Sequence, residues 1–172
     1  MINKNEQFVF TSERLGYRLL RESDFNDYFL LDSNPKVRAF FPNGTLDAEK
    51  VKANIDKNIH FFKENGFGVF IAIELITNKF VGRCGFGPIP NGEIEVGYVF
   101  LPQFWGKGLA TEALITLLEW AKQNIYSVNT IIAFTPVNHI ASQRVIQKAG
   151  MEFYKKDLKD KEECVFYKVH LR

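Results

Sequence analysis

Between Gly66 and Leu101 the hydrophobic pattern changes period, and this change constrains the fold more than any other feature. The stretches "GVFIAIEL", "KFVGRCGFG" and "EIEVGYVFL" are rich in β-branched and aromatic residues. They are separated by "ITN" and "PIPNG", where Asn78 and the Asn91-Gly92 pair are turn signals. Connections this short join antiparallel neighbours, because parallel strands need a long crossover. The middle of the chain is therefore predicted as a three-strand meander.

Helical spacing flanks it on both sides. "YRLLR" (17–21) reads as a first strand. A helix follows with Phe25, Tyr28, Phe29 and Leu31 apolar and Ser23 or Asp24 as caps. Pro35 suits the start of a further helical turn over "PKVRAFF", and "PNGT" is a turn. Val51, Ile55, Ile59 and Phe62 then recur at helical spacing, with Asp47 as the cap and Gly66 as the stop. After the meander come a helix from Gly108, a strand "NTIIAFT", a helix "HIASQRVIQKAG" and two strands around "KDKE". The mixed charges of "YKKDLKDKEE" (154–163) mark that last pair as a solvated hairpin. The predicted class is α/β (α+β), a sheet with helices on both faces. With 172 residues and no repeat, low-complexity segment or linker, residues 1–172 are expected to form a single domain with a real core. The 17 phenylalanines are read as core and cleft lining.

Several functions are disfavoured. A net charge of +2 with no basic stripe does not argue for nucleic acid. No apolar run reaches the roughly 18 residues of a spanning helix. "MINKNEQFVF" lacks a signal-peptide pattern, so cytoplasm is the default location. Cys84 and Cys164 lack metal-type spacing and are expected as reduced thiols, Cys84 in a packing role. His60, His139 and His170 are scattered and suggest no metal site.

The stretch "PQFWGKGLATEALITLLEW" (102–120) carries the first chemistry. Leu109, Ala110, Ala113, Leu114, Leu117, Leu118 and Ala121 fall on one helix face, with Glu112, Thr116, Glu119 and Gln123 elsewhere. A helix start offers unpaired N–H groups and a positive dipole end. Gly106 and Gly108 leave those donors unobstructed and Lys107 adds a charge, which together make a phosphate site. Taken alone, the glycines could equally serve only the turn's geometry. No Ser or Thr follows Gly106-Lys107 as a Walker loop requires, and an antiparallel meander is not the βαβ context of a dinucleotide fingerprint. Gly82, Gly85 and Gly87 sit within a strand pattern and are read as bulges or close approaches.

"QFWGKGLA" (103–110) resembles the Gln/Arg-x-x-Gly-x-Gly/Ala signature of the GCN5-related N-acetyltransferases. Its flanks "EVGYVFLPQFWGKGLATEAL" look like the branch that includes the ribosomal-protein N-terminal acetyltransferases. "NHIASQRVIQKAGMEF" (138–153) and "SERLGYRLLRESD" (12–24) resemble two further segments of that branch, in the expected order. The resemblance implies a mixed, mostly antiparallel sheet of about seven strands, splayed at a cofactor cleft. It implies acetyl-CoA as cosubstrate and no metal. Pantetheine would pair with backbone groups of Val99, Phe100 and Leu101 as an added strand. The pyrophosphate would lie on Gln103, Phe104, Trp105, Gly106, Lys107, Gly108, Leu109 and Ala110. Asn138 would hydrogen-bond pantetheine, and it is also a natural N-cap for a helix over 139–149.

The family's chemistry is direct attack of an amine on the thioester, which needs a base, an oxyanion donor and a proton for the thiolate. Glu95 is the candidate base, because a carboxylate inside a central strand is costly unless paired or functional. Its alternative is an ion pair with Arg83 across the hairpin, whereas Glu93 by the turn reads as solvated. A backbone N–H near Val99 is the oxyanion donor. Where many relatives carry a tyrosine seven residues after the asparagine, this chain has Val145. Ser142 is then the candidate acid, with Tyr98 and Tyr126 as weaker ones. Phe40, Phe41 and Asn43 are expected at the acceptor wall by analogy. The acceptor is read first as a protein N-terminus and second as a small amine such as a polyamine, amino acid or aminoglycoside. A CoA-binding module without turnover is the competing class. A monomer or homodimer is expected, with no nucleic-acid or membrane partner.

Overall fold

The structure, a computed structural model, describes residues 7–172. The segment 1–6, which opens the stretch read as lacking a signal-peptide pattern, lies outside the described residues. In chain order the elements are β1 (Phe10–Thr11), β2 (Leu15–Leu19), α1 (Phe25–Asp32), α2 (Ala48–Asn65), β3 (Val69–Glu74), β4 (Lys79–Pro88), β5 (Ile94–Phe100), α3 (Leu109–Asn124), β6 (Thr130–Pro136), α4 (Ile140–Lys148), β7 (Glu152–Lys159) and β8 (Glu162–His170). The strands form one sheet in the order β1-β2-β3-β4-β5-β6-β8-β7. The meander β3-β4-β5 and the hairpin β7-β8 are antiparallel as predicted, and β5 runs parallel to β6. The sheet has eight strands where about seven were expected. The addition is the two-residue β1, too short to leave a period in the sequence.

Alternation along β3 divides the core. Phe70 and Ala72 pack with Ala113, Leu114, Leu117 and Leu118 of α3, whereas Ile71 and Ile73 pack with Tyr28 of α1 and Val51 and Ile55 of α2. The sheet therefore separates an α1/α2 face from an α3/α4 face. α2 begins and ends as its sequence dictates: the Asp47 carboxylate accepts from Lys50 N–H (2.9 Å), and Gly66 sits at φ 75°. Gly82 and Gly85 mark close approaches, since a Cβ there would lie 2.1 Å and 2.2 Å from the Val99 and Gly68 carbonyl oxygens.

Three local expectations are refined. The first strand pattern settles two residues earlier, at Leu15–Leu19, because the Asp24 carboxylate takes the Arg21 N–H (2.8 Å) beyond it. Asp24 occupies the N-cap position of α1 as expected, but makes no side-chain capping bond, since its carboxylate grips the Arg18 guanidinium at 2.7 and 2.8 Å. The turn expected after Pro35 forms, with Arg38 N–H bonded to the Asn34 carbonyl (3.0 Å), but residues 35–41 do not extend it into a helix. The run between Pro35 and Pro42 is too short to offset helix nucleation, and Pro42 biases Phe41 away from helical geometry.

Candidate active site

The parallel junction at the centre of the sheet is short. β5 and β6 share two residue pairs, Ile94 with Ile131 and Glu95 with Ile132. β4–β5 and β6–β8 share seven each. Beyond Glu95 the two central strands diverge, leaving the β6-facing edge of β5 unpaired. Leu101 N–H donates the other way, to the Val81 carbonyl (2.9 Å). By alternation Val99 also turns its backbone groups to β4, and Tyr98 and Phe100 turn theirs to the slit. Within the predicted platform Val99–Leu101, Phe100 thus has the right direction. Its carbonyl accepts the Trp105 indole N–H at 2.8 Å, which folds the segment after β5 back against the strand.

At one end of the slit, on the α3/α4 side, lies the turn before α3. Gly106 and Gly108 sit at φ 71° and 77°, a left-handed backbone that other residues adopt only with strain. Both readings of these glycines hold: the turn needs them, and nothing lies within 4 Å of where a Gly106 Cβ would be. Gly108 caps α3 without a side chain, and the first helical bond runs from Glu112 N–H to the Gly108 carbonyl (3.0 Å). The N–H groups of Leu109, Ala110 and Thr111 therefore precede the helical ladder. The side chains of Phe104 and Leu109 are buried in the core, so only their backbone can serve a ligand, whereas Gln103 and Lys107 are exposed. Lys107 Nζ leans over the Phe104 ring at 5.5 Å. These features fit a pyrophosphate.

Arg14, which sequence reasoning did not single out, buttresses this turn. Its Nη1 donates to the Lys107 carbonyl (2.8 Å) and its Nε to Glu112 Oε2 (2.7 Å). Ser12 Oγ and the Arg14 backbone N–H also donate to Glu112, at 2.6 and 2.7 Å. Burial opposes ionisation of Glu112, but these hydrogen bonds prevail and hold its carboxyl below the usual range. Glu112 is thereby tied toward β2.

On the α1/α2 side a cleft of about 300 Å³ lies against β4 and β5. Its floor is bare backbone, with Gly85 opposite Gly97 and Gly87 opposite Glu95. Phe41, Asn58, Arg83, Val99 and Phe134 stand around it. Glu95 lies in this cleft, and burial pushes its carboxyl up to about 7, against the pull of Lys159 and Lys57. The alternative pairing of Glu95 with Arg83 is not formed. Arg83 lies opposite Val99, and its guanidinium instead binds Asp32 with two bonds of 2.9 Å. Asp32 is fully buried and also receives Arg38 Nη1 at 3.4 Å. Arg83 lies over the Tyr28 ring (4.5 Å) and Arg38 over the Phe41 ring (4.0 Å). This cluster was not foreseen, because its members are brought together only by the packing of α1 on β4.

On the opposite face Tyr98 and Ser142 meet, the phenol donating to Ser142 Oγ at 3.4 Å. Burial pushes the Tyr98 phenol up. Tyr126 is exposed and donates to the Gln123 carbonyl, outside this site. Val145 packs against the core. Asn138 is exposed in the turn before α4 and is not its N-cap; that position is His139, without a capping side-chain bond, and the helix is Ile140–Lys148. The His139 ring stacks on Phe40 with centroids 3.7 Å apart, so the pair Phe40–Phe41 divides, one ring on the α4 turn and one in the cleft. Asn43 is exposed and outside the cleft lining. Cys84 and Cys164 are buried free thiols, and burial raises Cys84 far above the thiolate range.

Comparison with known proteins agrees with this fold. Residues 14–152 match the family model described as "Acetyltransferase (GNAT) domain". The uncharacterized N-acetyltransferase YnaD of Bacillus subtilis is 31% identical over 153 residues, covering 85% of each chain. The acetyltransferase from Salmonella typhimurium that modifies the N-terminal serine of a 50S ribosomal subunit protein superposes with a TM-score of 0.80. It is 16% identical, over 95% of this chain and 99% of that one. Spermidine N-acetyltransferase from Vibrio cholerae, in complex with CoA and spermine, gives 0.77 at 15% identity, over 92% of this chain and 96% of that one. At these identities the two structures speak to the fold alone.

Proposed function

This chain belongs to the GNAT acetyltransferases and is an N-acetyltransferase, and we propose that it transfers an acetyl group directly to a primary amine seated over the glycine floor, with Glu95 as the base. The described residues act as one acetyltransferase domain. The observation that carries the reading is the position of Glu95: a carboxyl raised to about 7, in a cleft that ends at the unpaired edge of β5. A base with that value is half ionised at neutral pH and strong enough to accept the proton an ammonium acceptor must lose.

Acetyl-CoA, when bound, supplies the activated acyl group as a thioester. The turn Phe104–Ala110 and the α3 N-terminus would hold its phosphates, and the slit-facing backbone of Tyr98 and Phe100 its amides. Asn138, exposed in the turn that follows β6, would hydrogen-bond pantetheine. A slit-facing N–H of β5 next to Val99 is suited to donate toward an oxyanion. Ser142, which accepts the Tyr98 phenol proton and keeps its own hydroxyl hydrogen free, is the candidate proton donor for the thiol side, with Tyr98 behind it. Cys84, held as a thiol by burial, is not suited to carry the acyl group covalently. Folds of this kind serve both a protein N-terminus and a polyamine in the relatives compared. The protein N-terminus remains the first reading of the acceptor and a small amine the second.

The test is release of thiol from acetyl-CoA across an acceptor panel. Glu95→Gln should lower kcat by about a hundredfold while CoA binds with unchanged affinity. Full activity in this variant would remove Glu95 from the mechanism. CoA binding without turnover on any amine would favour a binding module.

A further inference from the structure

The peptide between Lys107 and Gly108 is intrinsically free to flip. Rotating it half a turn carries φ of Gly108 from its observed 77° to a negative value, and glycine accepts both. At Lys107 the same rotation only exchanges the two main wells of ψ. The two orientations are opposite in polarity. A trans peptide points its C=O and N–H in opposite directions, so the flip would put an oxygen where an anion needs a donor.

One side chain decides between them. Arg14 Nη1 donates to the Lys107 carbonyl at 2.8 Å, and the Gly108 N–H is thereby turned away from Arg14. The Lys107 carbonyl stands four residues before Thr111, yet it accepts from Arg14 and not from the helix. Among the described residues, the N–H groups of Gly106, Lys107 and Gly108 donate to no protein group. Gly106 and Gly108 take positive φ and Lys107 does not, an alternation that gathers successive N–H groups on one concave side. Arg14 is itself fixed. Its Nε and its backbone N–H each bind Glu112 at 2.7 Å, and Ser12 Oγ holds the same carboxylate at 2.6 Å. Glu112 belongs to the first turn of α3, so one guanidinium spans the carbonyl before the helix and the helix itself.

Taking the α3 turn as the acetyl-CoA phosphate site, we propose that Arg14 is a positioning residue for that cosubstrate: by holding the Lys107 carbonyl it locks the 107–108 peptide with its N–H on the concave side, where the pyrophosphate would lie. The fork of the guanidinium is what the turn uses, because two acceptors must be met at fixed angles.

Calorimetry of CoA binding to the whole protein compares the wild type with Arg14→Met and Arg14→Lys. Methionine removes the fork and the charge and should weaken CoA about tenfold or more. Lysine keeps the charge without the fork and should weaken it severalfold. In the amide spectrum of the ligand-free protein, Gly108 should give one sharp signal in the wild type and a doubled or broadened one in Arg14→Met. The signals of Leu114 and Leu117, in the core of α3, should not move. CoA affinity within twofold of the wild type in either variant, or a Gly108 signal indifferent to Arg14, overturns the proposal. Displaced signals along all of α3 would assign Arg14 to the fold and overturn it as well. If Arg14→Met does not fold, Arg14→Lys decides. Neither measurement needs an acceptor, so failure to turn over any amine would strike the acetyltransferase reading and leave this test standing. A wild-type protein that binds no CoA overturns the proposal.

Discussion

A carboxyl that ionises only near neutrality makes Glu95 costly to the fold. Its pKa rises on folding from an ordinary 4.5 to about 7 because burial disfavours the charge. The folded state therefore prefers the protonated form. The associated stability is complete below about pH 4.5 and is lost as the pH rises through 7, by about 3 kcal/mol. Glu95→Gln removes the charge at every pH. Its melting temperature should exceed that of the wild type by several degrees at pH 8, and the two should converge at pH 4.5. The acid limb of kcat in the wild type should fall near pH 7. Identical melting curves at pH 8, or a rate independent of pH between 6 and 8, would exclude this role. Glu95 was legible because a carboxylate inside an apolar strand breaks the local pattern. Its separation from Arg83 was not, because Asp32 lies 51 positions from Arg83 and no periodicity links them.

At the scale of elements, the sequence reveals what repeats locally. α2, α3 and the meander follow from periodicity and turn residues, and Gly106 and Gly108 announced a helix start able to hold an anion. Hidden from the sequence were β1, too short for a period, and how far the turns at 35–41 extend, where prolines at 35 and 42 bracket a short run that carries Lys36 and Arg38. Arg14 was hidden for a related reason. Its grip on the Lys107 carbonyl and Glu112 joins segments more than ninety positions apart. The α3 turn offers a direct test. Gly108→Asp places a carboxylate at the proposed phosphate site, and aspartate tolerates a left-handed backbone better than most residues, so the strain costs about 1 kcal/mol. A Cβ there would lie 3.5 Å from Arg14 Nη2, within ordinary contact. The variant should fold with a modest loss in melting temperature and bind CoA at least about tenfold more weakly in calorimetry. Unchanged CoA affinity would move the phosphate site elsewhere.

Across the whole molecule, the sheet keeps the proposed donor and acceptor sides apart. The α3/α4 face carries the turn before α3, Tyr98 and Ser142, while the α1/α2 face carries the cleft, Glu95 and the Arg38–Asp32–Arg83 cluster. Strand order alone could not show this, because the slit depends on where β5 and β6 stop pairing. That junction also has a mechanical meaning. Two stiff plates, β1–β5 and β6–β8, are fastened along the sheet by a clasp of two residue pairs. Material this uneven concentrates its compliance at the weakest seam. A ligand lying along β5 would rivet the plates into one continuous slab, so rigidity itself becomes something the donor confers. Amide exchange at Tyr98 and Phe100 should slow on addition of CoA, while exchange along β3, already paired on both sides, stays as it was. Equal slowing across both strands would mean that the plates were never separately hinged.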